Sequence, residues 1–125
     1  MKKFSLLGAL LASCLAISAA YAQEAPIKKD NGVLVNEAGL TLYTFDKDAM
    51  GSGKSACNGP CAGLWPPLMA APTAKDSGDY TVITRDDGSK QWAYKGKPLY
   101  TYSPDKKAGD RTGDNFKDIW HIVKN

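Results

Sequence analysis

Residues 42–48 read Leu-Tyr-Thr-Phe-Asp-Lys-Asp, and 57 positions further along the chain residues 99–105 read Leu-Tyr-Thr-Tyr-Ser-Pro-Asp. A tryptophan ends each of the two units, at Trp65 and Trp120. Each copy places aromatic side chains on one face of a short strand, and one such unit cannot bury that face alone. The repeat therefore predicts two similar half-domains that pack against each other.

Short runs of period two dominate the chain beyond its first 22 residues. Six of them are rich in β-branched or aromatic residues and are bounded by Gly, Asn, Asp or Pro, which is typical of strands. They lie at residues 33–35, 40–45, 80–85, 91–94, 98–102 and 119–123. Turn residues at 36–39, 86–89 and 95–97 predict hairpins. The sequence thus predicts a mainly β domain of antiparallel sheets, built from two pseudo-symmetric repeats with short helical turns.

The N-terminus has the pattern of an export signal. Lys2 and Lys3 precede an uncharged run, and residues 20–22, Ala-Tyr-Ala, match a signal-peptidase site. We therefore expect the mature protein in the periplasm. The expected division is a signal peptide at 1–22, a flexible leader at 23–31 and a single domain at 32–125, with repeats at about 32–68 and 80–123.

A second cleavage pattern makes a lipid anchor an alternative to the soluble form. Residues 11–14, Leu-Ala-Ser-Cys, resemble a lipobox in which Cys14 is acylated and holds the protein to the envelope. The apolar run continues beyond Cys14, which favours the soluble form. An uncleaved signal is a third alternative, because about 20 uncharged residues suffice to span a bilayer. Contact with a membrane is expected only for these two alternatives.

The charge distribution argues against a nucleic-acid partner. The chain has 16 Lys and Arg against 13 Asp and Glu, and Lys2 and Lys3 account for two of the net +3. The other lysines are interleaved with aspartates, so a mixed solvated surface is expected. The expected partner is an unknown small molecule or another envelope component, and no cofactor is expected.

Cys57 and Cys61 are expected to form a local disulfide outside the cytoplasm. A thioredoxin-like redox pair is the weaker alternative, because that motif has two intervening residues and this one has three. Covalent haem is excluded, since no Cys-x-x-Cys-His occurs. A copper or zinc site would have to recruit His121, Met50 or Met69, which are therefore weak metal candidates.

Asp48 and Asp105 stand where each motif strand gives way to a turn. Their carboxylates are expected to accept backbone N–H groups of the loop that follows. A cation site is the alternative. Residues 46–51 begin like an EF-hand loop but lack its later ligands, whereas Asp105, Asp110 and Asp114 leave an irregular loop site open.

The aromatic residues have two interpretations: the core of a leucine-poor domain, or a groove on which a planar ligand stacks. Burial in the core is favoured for Trp65 and Trp120. For the motif tyrosines, burial and ligand contact are equally favoured. Trp92, which shares a strand face with Tyr94, is the best candidate for an exposed aromatic platform. All three tryptophans are kept as candidate ligand-facing residues.

His121 follows Trp120 and is expected to point to the opposite face of the last strand. A single histidine on a strand is more often hydrogen-bonded than catalytic, and the sequence places no Ser, Cys or Asp to complete a triad. Neither repeat contains a catalytic constellation, so we expect no enzymatic activity.

Two motifs carry a family resemblance. The pattern Tyr-x-(Phe/Trp/Tyr)-x-x-Asp matches at Tyr43, Phe45 and Asp48 and again at Tyr100, Tyr102 and Asp105. Cys-x-x-x-Cys-Ala-x-x-Trp-Pro-Pro-Leu occupies residues 57–68. Over residues 32–123 the chain resembles a bacterial secreted-repeat family of predicted lipoproteins that carry this tyrosine motif. The resemblance implies an exported location and a repeat-built fold, in a family whose function is unknown.

From these observations we expect an exported cell-envelope protein that acts as a non-enzymatic binding or structural module. The alternative is a periplasmic redox or metal-handling accessory protein that uses Cys57, Cys61 and His121.

Overall fold

The computed structural model describes residues 25–125. The expected signal peptide, its Cys14 and the first two leader residues lie outside the described residues, so cleavage and acylation stay predictions. Within residues 25–125 no helix has the length and hydrophobicity that a membrane crossing needs.

Eight short strands form three antiparallel sheets. The strands are β1 (Ile27–Asp30), β2 (Val33–Asn36), β3 (Tyr43–Phe45), β4 (Met69–Ala70), β5 (Tyr80–Thr84), β6 (Lys90–Tyr94), β7 (Lys97–Pro98) and β8 (Trp120–Ile122). β1 pairs with β2 and β3 with β8, while β4, β6 and β5 lie side by side with β7 on β6. One helix, α1 (Pro60–Leu64), and a 3₁₀ turn (Phe116–Asp118) complete the described elements. The predicted mainly β fold is confirmed. Each of the six predicted runs overlaps a strand, although the run at 98–102 does so only at Pro98.

The expected flexible leader at residues 23–31 is wrong where the structure describes it. Ile27 to Asp30 form β1, which pairs with β2 so that Ile27 lies opposite Asn36 and Asp30 opposite Val33. The turn between them is Asn31-Gly32, and both residues have positive φ (50° and 82°). Asn-Gly is the preferred sequence of a type I′ hairpin turn, whose twist matches that of the flanking strands. The hairpin therefore holds residues 27–30 of the expected leader against β2 of the domain.

The two repeats are intertwined. β3 of the first repeat pairs with β8 of the second, with Tyr43 opposite Ile122. In the other half Tyr100 of the second repeat lies opposite Pro67 of the first. Each motif strand therefore pairs with the closing segment of the other repeat.

A pseudo-two-fold axis passes between Tyr43 and Tyr100. The Tyr43 N–H donates to the Tyr100 carbonyl (2.8 Å), and the Tyr100 N–H donates to the Tyr43 carbonyl (3.0 Å). The preceding leucines repeat the relation, because Leu42 N–H donates to Leu34 O and Leu99 N–H to Trp92 O, both at 3.0 Å. Leu34 and Trp92 thus occupy equivalent positions.

The two halves differ where prolines interrupt one closing segment. Thr101 N–H donates to Pro66 O (2.8 Å), as in a regular strand pair. Pro66 and Pro67 themselves have no N–H to donate. The pairing in this half is therefore reduced to an isolated bridge, whereas β3 and β8 pair over three residues.

The central strands separate two cores, because alternate side chains point to opposite faces. The aromatic core comprises Tyr43, Phe45, Cys57, Trp65, Tyr100, Tyr102 and Trp120. The leucine core comprises Leu34, Leu42, Trp92, Leu99 and Val123. The period of two in the motif thus assigns its leucine to one core and its tyrosine to the other.

The structure corrects the candidate role of the three tryptophans as ligand-facing residues. Trp65, Trp92 and Trp120 are 2–3% exposed. Trp92 lies on β6, which is covered on both edges by neighbouring strands. Its ring fills the leucine core, where a side chain of this size removes a large apolar area from water. The expected exposed platform at Trp92 is therefore wrong.

Gly113 gives a direct test of how tightly the aromatic core is packed. A Cβ at this position would lie 2.6 Å from Trp65 Cη2 and 2.8 Å from Tyr102 Cδ2. We expect Gly113→Ala to lower the free energy of unfolding by about 1–3 kcal/mol, since the rings would have to shift. Urea denaturation measures the change.

Gly63 in α1 provides the matched control, because a Cβ there meets nothing within 4 Å. Gly63→Ala is expected to be neutral or to stabilise by up to roughly 1 kcal/mol. Equal effects of the two substitutions would contradict the packing described for Gly113.

Candidate functional site

The motif tyrosines and aspartates bind each other across the two repeats. Tyr43 Oη donates to Asp105 Oδ2 (2.6 Å), and Tyr100 Oη donates to Asp48 Oδ2 (2.6 Å). Both tyrosines are completely buried, and both carboxylates are at most 5% exposed. The first position of each motif therefore bonds to the last position of the other motif.

Each carboxylate also closes the loop that follows it. Asp48 Oδ1 accepts the Ala56 N–H (2.6 Å), and Asp105 Oδ1 accepts the Thr112 N–H (3.0 Å) and the Thr112 hydroxyl. The capping role expected for the two aspartates is thus present in both repeats. Their second role, as partners of the tyrosines, was missed because a single motif copy gives no sign of where its tyrosine points.

Burial shifts the ionisation of these groups. It raises the pKa of both tyrosines, and the hydrogen bonds to Asp105 and Asp48 raise them further, since a phenolate beside a carboxylate is unfavourable. Burial also raises the pKa of Asp48, although the bonds from Tyr100 and Ala56 oppose the change. The hydroxyls therefore stay protonated and donate to the carboxylates.

Four stacked rings cross the pseudo-two-fold axis between the two tyrosines. Phe45 stacks on Trp120 (centroids 4.1 Å apart), Trp120 on Trp65 (3.9 Å), and Trp65 on Tyr102 (4.0 Å). The planes of the two tryptophans differ by 1°. Each tryptophan thus stacks on the aromatic residue of the other repeat's motif, so the motif's middle position also binds across the repeats.

Cys57 and Cys61 are joined by a disulfide, with their Cα atoms 5.2 Å apart. The bond ties Cys57, which packs in the aromatic core, to Cys61 in α1. Cys57 is fully buried. In the oxidised form neither sulfur is free to bind a metal.

A buried arginine that the sequence analysis missed holds this disulfide loop. Arg85 Nη2 donates to Cys57 O (2.6 Å), and Nη1 donates to Gln91 Oε1 (2.7 Å) and Ser55 Oγ (3.1 Å). Ser55 Oγ in turn lies 2.6 Å from Tyr100 Oη. The available signal was the alternation from Ile83 to Arg85, which places both on the inner face of the sheet.

A cleft of about 380 Å³ lies beside β8, and we call it the His121 cleft. Its apolar lining consists of Met50, Tyr94, Ile122 and Val123, and its cations are Lys95, Lys97 and Lys124. Thr44 and Asp46 complete the lining with His121. Met50 is 68% exposed, which is unusual for a large apolar side chain. The cleft thus combines an apolar surface with a net positive charge.

His121 is fixed in the cleft by two contacts. Its Nε2 lies 2.9 Å from Asp46 Oδ2, and its Nδ1 lies 3.1 Å from Asn115 Oδ1. Thr44 lies opposite His121 in the β3–β8 pair. The register of this pair therefore brings together Asp46 and His121, which are 75 positions apart in the sequence.

The pseudo-two-fold axis shows that this pair has no counterpart in the other half. Asp46 N–H donates to Ile119 O (2.8 Å), and Ser103 N–H donates equivalently to Leu64 O (2.9 Å), so serine replaces the aspartate. Pro66, which lies opposite Thr101, stands where the second repeat has His121. Comparison of the two copies could have found both positions, since they are places where the duplicated sequence diverges.

Backbone strain adds a second departure from symmetry. Asn115, Lys117 and Asp118 have φ of 62°, 50° and 62°, in the left-handed region. The corresponding segment of the first repeat is the ordinary helix α1. Non-glycine residues in this region cost free energy and cluster at functional sites. The strained turn places the Asn115 side chain next to His121. The strain therefore lies beside the same cleft.

The candidate metal ligands predicted from the sequence lie in two different clefts. Met50 and His121 line the His121 cleft, whereas Met69 lines a different cleft, of about 450 Å³, beside the disulfide loop. In the part of the chain that the structure describes, no three His, Cys, Asp or Glu side chains are grouped to hold an ion.

The three aspartates of the candidate loop site also serve separate purposes. Asp110 Oδ2 accepts the N–H groups of Lys106 and Lys107, and Asp114 Oδ1 accepts the Ile122 N–H. Asp105 binds Tyr43. The three carboxylates thus do not converge, which corrects the irregular cation site considered for them.

The cross-repeat bonds predict a matched pair of tyrosine substitutions. Tyr43→Phe leaves Asp105 without its phenolic donor and should lower the free energy of unfolding by about 1–3 kcal/mol. Tyr94→Phe, at a partly exposed position, should change it by no more than about 0.5 kcal/mol. Urea denaturation at neutral pH decides, and similar costs for both variants would refute a stabilising role for the cross-repeat bond.

The raised tyrosine pKa values predict a loss of stability in alkali. Unfolding frees hydroxyls with an ordinary pKa of about 10, so the stabilisation is complete below that pH. Above it the unfolded chain loses protons that the native chain keeps, and stability falls by about 1.4 kcal/mol per pH unit for each buried tyrosine. Urea denaturation from about pH 9 to about pH 11 measures the slope. Tyr43→Phe should reduce it, and an unchanged slope would contradict this assignment.

The comparisons with known proteins agree with this architecture. A family model described as a secreted repeat of unknown function matches the chain twice, at residues 25–69 and 81–124. The first match includes β1, in accordance with the structure. The searches of curated proteins and of solved structures each returned no match. Since the two matches cover most of the chain, the resemblance seen in the tyrosine motif is confirmed: this exported protein belongs to the family of secreted repeats of unknown function.

Proposed function

We propose that the protein is a non-enzymatic binding module of the periplasm and that the His121 cleft is its binding site. The observation that carries this proposal is the combination, in one cleft, of an exposed apolar surface, three lysines and a histidine–aspartate pair that the other repeat lacks. Exposed apolar surface next to converging polar groups is typical of ligand sites.

The lining favours a small molecule with an apolar body and an anionic group. Met50, Ile122 and Val123 offer contact to the apolar part. Lys95, Lys97 and Lys124 outnumber the single carboxylate of Asp46, so the electrostatic potential favours an anion. Tyr94 adds an aromatic face for a planar ligand. Carboxylates, sulfonates and phosphates on an apolar skeleton all have this chemistry.

The polar side chains of the core and the cleft already form hydrogen bonds with one another, which supports binding in preference to catalysis. The motif tyrosines and aspartates are committed to each other. Both nitrogens of His121 already have partners. A general base needs a free nitrogen within reach of a substrate proton, and a nucleophile needs an adjacent base. The described cleft residues leave these roles unfilled.

Metal handling at the same cleft is the second candidate. It is favoured by one observation, that His121, Asp46 and Met50 share the lining. Imidazole with a thioether suits copper. The version of this alternative that uses Cys57 and Cys61 receives no support from their disulfide. Binding of one Cu²⁺ equivalent by the native protein, lost in His121→Ala, would favour metal handling.

Two fluorescent probes with nearly the same rings test the main proposal. Anilinonaphthalene sulfonate carries an anionic group, and N-phenylnaphthylamine has the same ring system without it. We expect Lys95→Glu with Lys124→Glu to weaken binding of the sulfonate by roughly three- to tenfold at low salt. Binding of the neutral probe should stay within about twofold of wild type. Fluorescence titration measures both affinities.

Lys75→Glu with Lys106→Glu is the control, since these lysines are exposed and lie outside the cleft lining. It makes the same change in net charge. Equal losses of sulfonate affinity in the two double variants would assign the effect to overall charge and would overturn the proposed site.

A further inference from the structure

The aromatic core contains chemistry that a binding module does not use. Each buried motif tyrosine packs edge-to-face on one tryptophan, Tyr43 on Trp65 with centroids 5.3 Å apart and Tyr100 on Trp120 at 5.1 Å. Each also donates to a carboxylate at 2.6 Å. A readily oxidised phenol and its proton acceptor are thus assembled twice, on either side of one stacked indole pair.

A phenol that loses an electron becomes a strong acid, so its oxidation is easiest where the proton can leave at the same time. The carboxylates of Asp105 and Asp48 are placed to accept that proton along existing hydrogen bonds. Burial raises the pKa of Asp48, which makes it a better proton acceptor than an ordinary carboxylate. Neither tyrosine would need to contact water.

The four-ring stack links its least buried ring, Tyr102, to the tryptophans that pack on these tyrosines. Its two inner rings, Trp65 and Trp120, are 2–3% exposed, while its ends, Phe45 and Tyr102, are 7% and 9% exposed. Successive rings are about 4 Å apart. Of the three tyrosines in the aromatic core, Tyr43 and Tyr100 have carboxylate partners among the described residues. An oxidising equivalent that enters the stack at Tyr102 or at a tryptophan would therefore come to rest on one of these two. Phe45 is not an entrance, because a phenylalanine ring is too difficult to oxidise.

We propose that the aromatic core is a one-electron redox site that accepts oxidising equivalents from small radical oxidants and holds them as a neutral tyrosyl radical on Tyr43 or Tyr100. In the step, the oxidant gains one electron, so that nitrogen dioxide becomes nitrite and the carbonate radical anion becomes carbonate. The tyrosine loses that electron and its hydroxyl proton, and the partner carboxylate gains the proton to become a carboxylic acid. Nitrogen dioxide and carbonate radicals are oxidants of this class.

Pulse radiolysis with the azide radical as the oxidant tests the site in the wild-type protein. We expect an initial tryptophan radical to convert into a tyrosyl radical in a step whose rate does not depend on protein concentration. Electron–nuclear double resonance after exchange into D₂O should show an exchangeable deuteron hydrogen-bonded to the radical oxygen. A tyrosyl radical without that coupling, or no transfer from tryptophan, would overturn the proposal without needing any variant.

Tyrosine variants then locate the radical. Tyr43→Phe with Tyr100→Phe should lower the tyrosyl yield at least about tenfold, whereas Tyr80→Phe with Tyr94→Phe, the pair outside the aromatic core, should leave it unchanged. The reverse result would place the radical on Tyr80 or Tyr94 and refute the inference. Asp48→Asn with Asp105→Asn, checked for native circular dichroism, should shorten the radical lifetime, because an amide cannot take the proton.

Discussion

The fold depends on one constraint: each buried phenol and each buried carboxylate of the motif finds its partner in the other repeat. A buried carboxylate without donors would be strongly unfavourable, and a buried hydroxyl without an acceptor would lose the hydrogen bond it had in water. The pairs Tyr43–Asp105 and Tyr100–Asp48 satisfy all four groups only when the repeats are interlocked. The stacked tryptophans impose the same condition through packing. Two half-domains that merely touched would leave these groups unpaired.

This constraint separates the positions that build the fold from those that are free to differ. The axis requires equivalent residues at the tyrosines, the aspartates and the leucines that face the second core. It makes no such demand at Asp46 and His121, which correspond to Ser103 and Pro66. The Pro66 carbonyl still accepts the Thr101 N–H, so proline is tolerated at that point with a shorter strand pairing than histidine allows. Side chains with a function other than holding the fold can occupy such positions. For this reason Asp46 and His121, which differ from their equivalents in the other repeat, mark the candidate site.

The sequence predicted the repeats, the period of the strands and the turns between them, because these depend on neighbouring residues. It predicted the loop-capping role of Asp48 for the same reason. Contacts between residues that are far apart in the sequence could not be predicted. The bond from Tyr43 to Asp105 depends on the crossing of the repeats, and the place of Trp92 depends on which strand lies at the centre of its sheet. The hairpin at Asn31-Gly32 was a local signal that the polar composition of the leader concealed.

The loop after the first motif links the aromatic core to the His121 cleft. Asp48 begins the loop and Ala56 ends it, and the two are tied by a hydrogen bond. Between them Gly51 N–H donates to Gly96 O (2.9 Å), and a Cβ on Gly96 would lie only 3.0 Å from Gly51 N. This close approach of two backbones places Met50 against the turn that carries Lys95. The carboxylate of Asp48, which accepts the hydrogen bond from Tyr100 in the core, therefore also holds the loop that supplies the apolar lining of the cleft. The shape of the cleft thus depends on the bonds that join the two repeats.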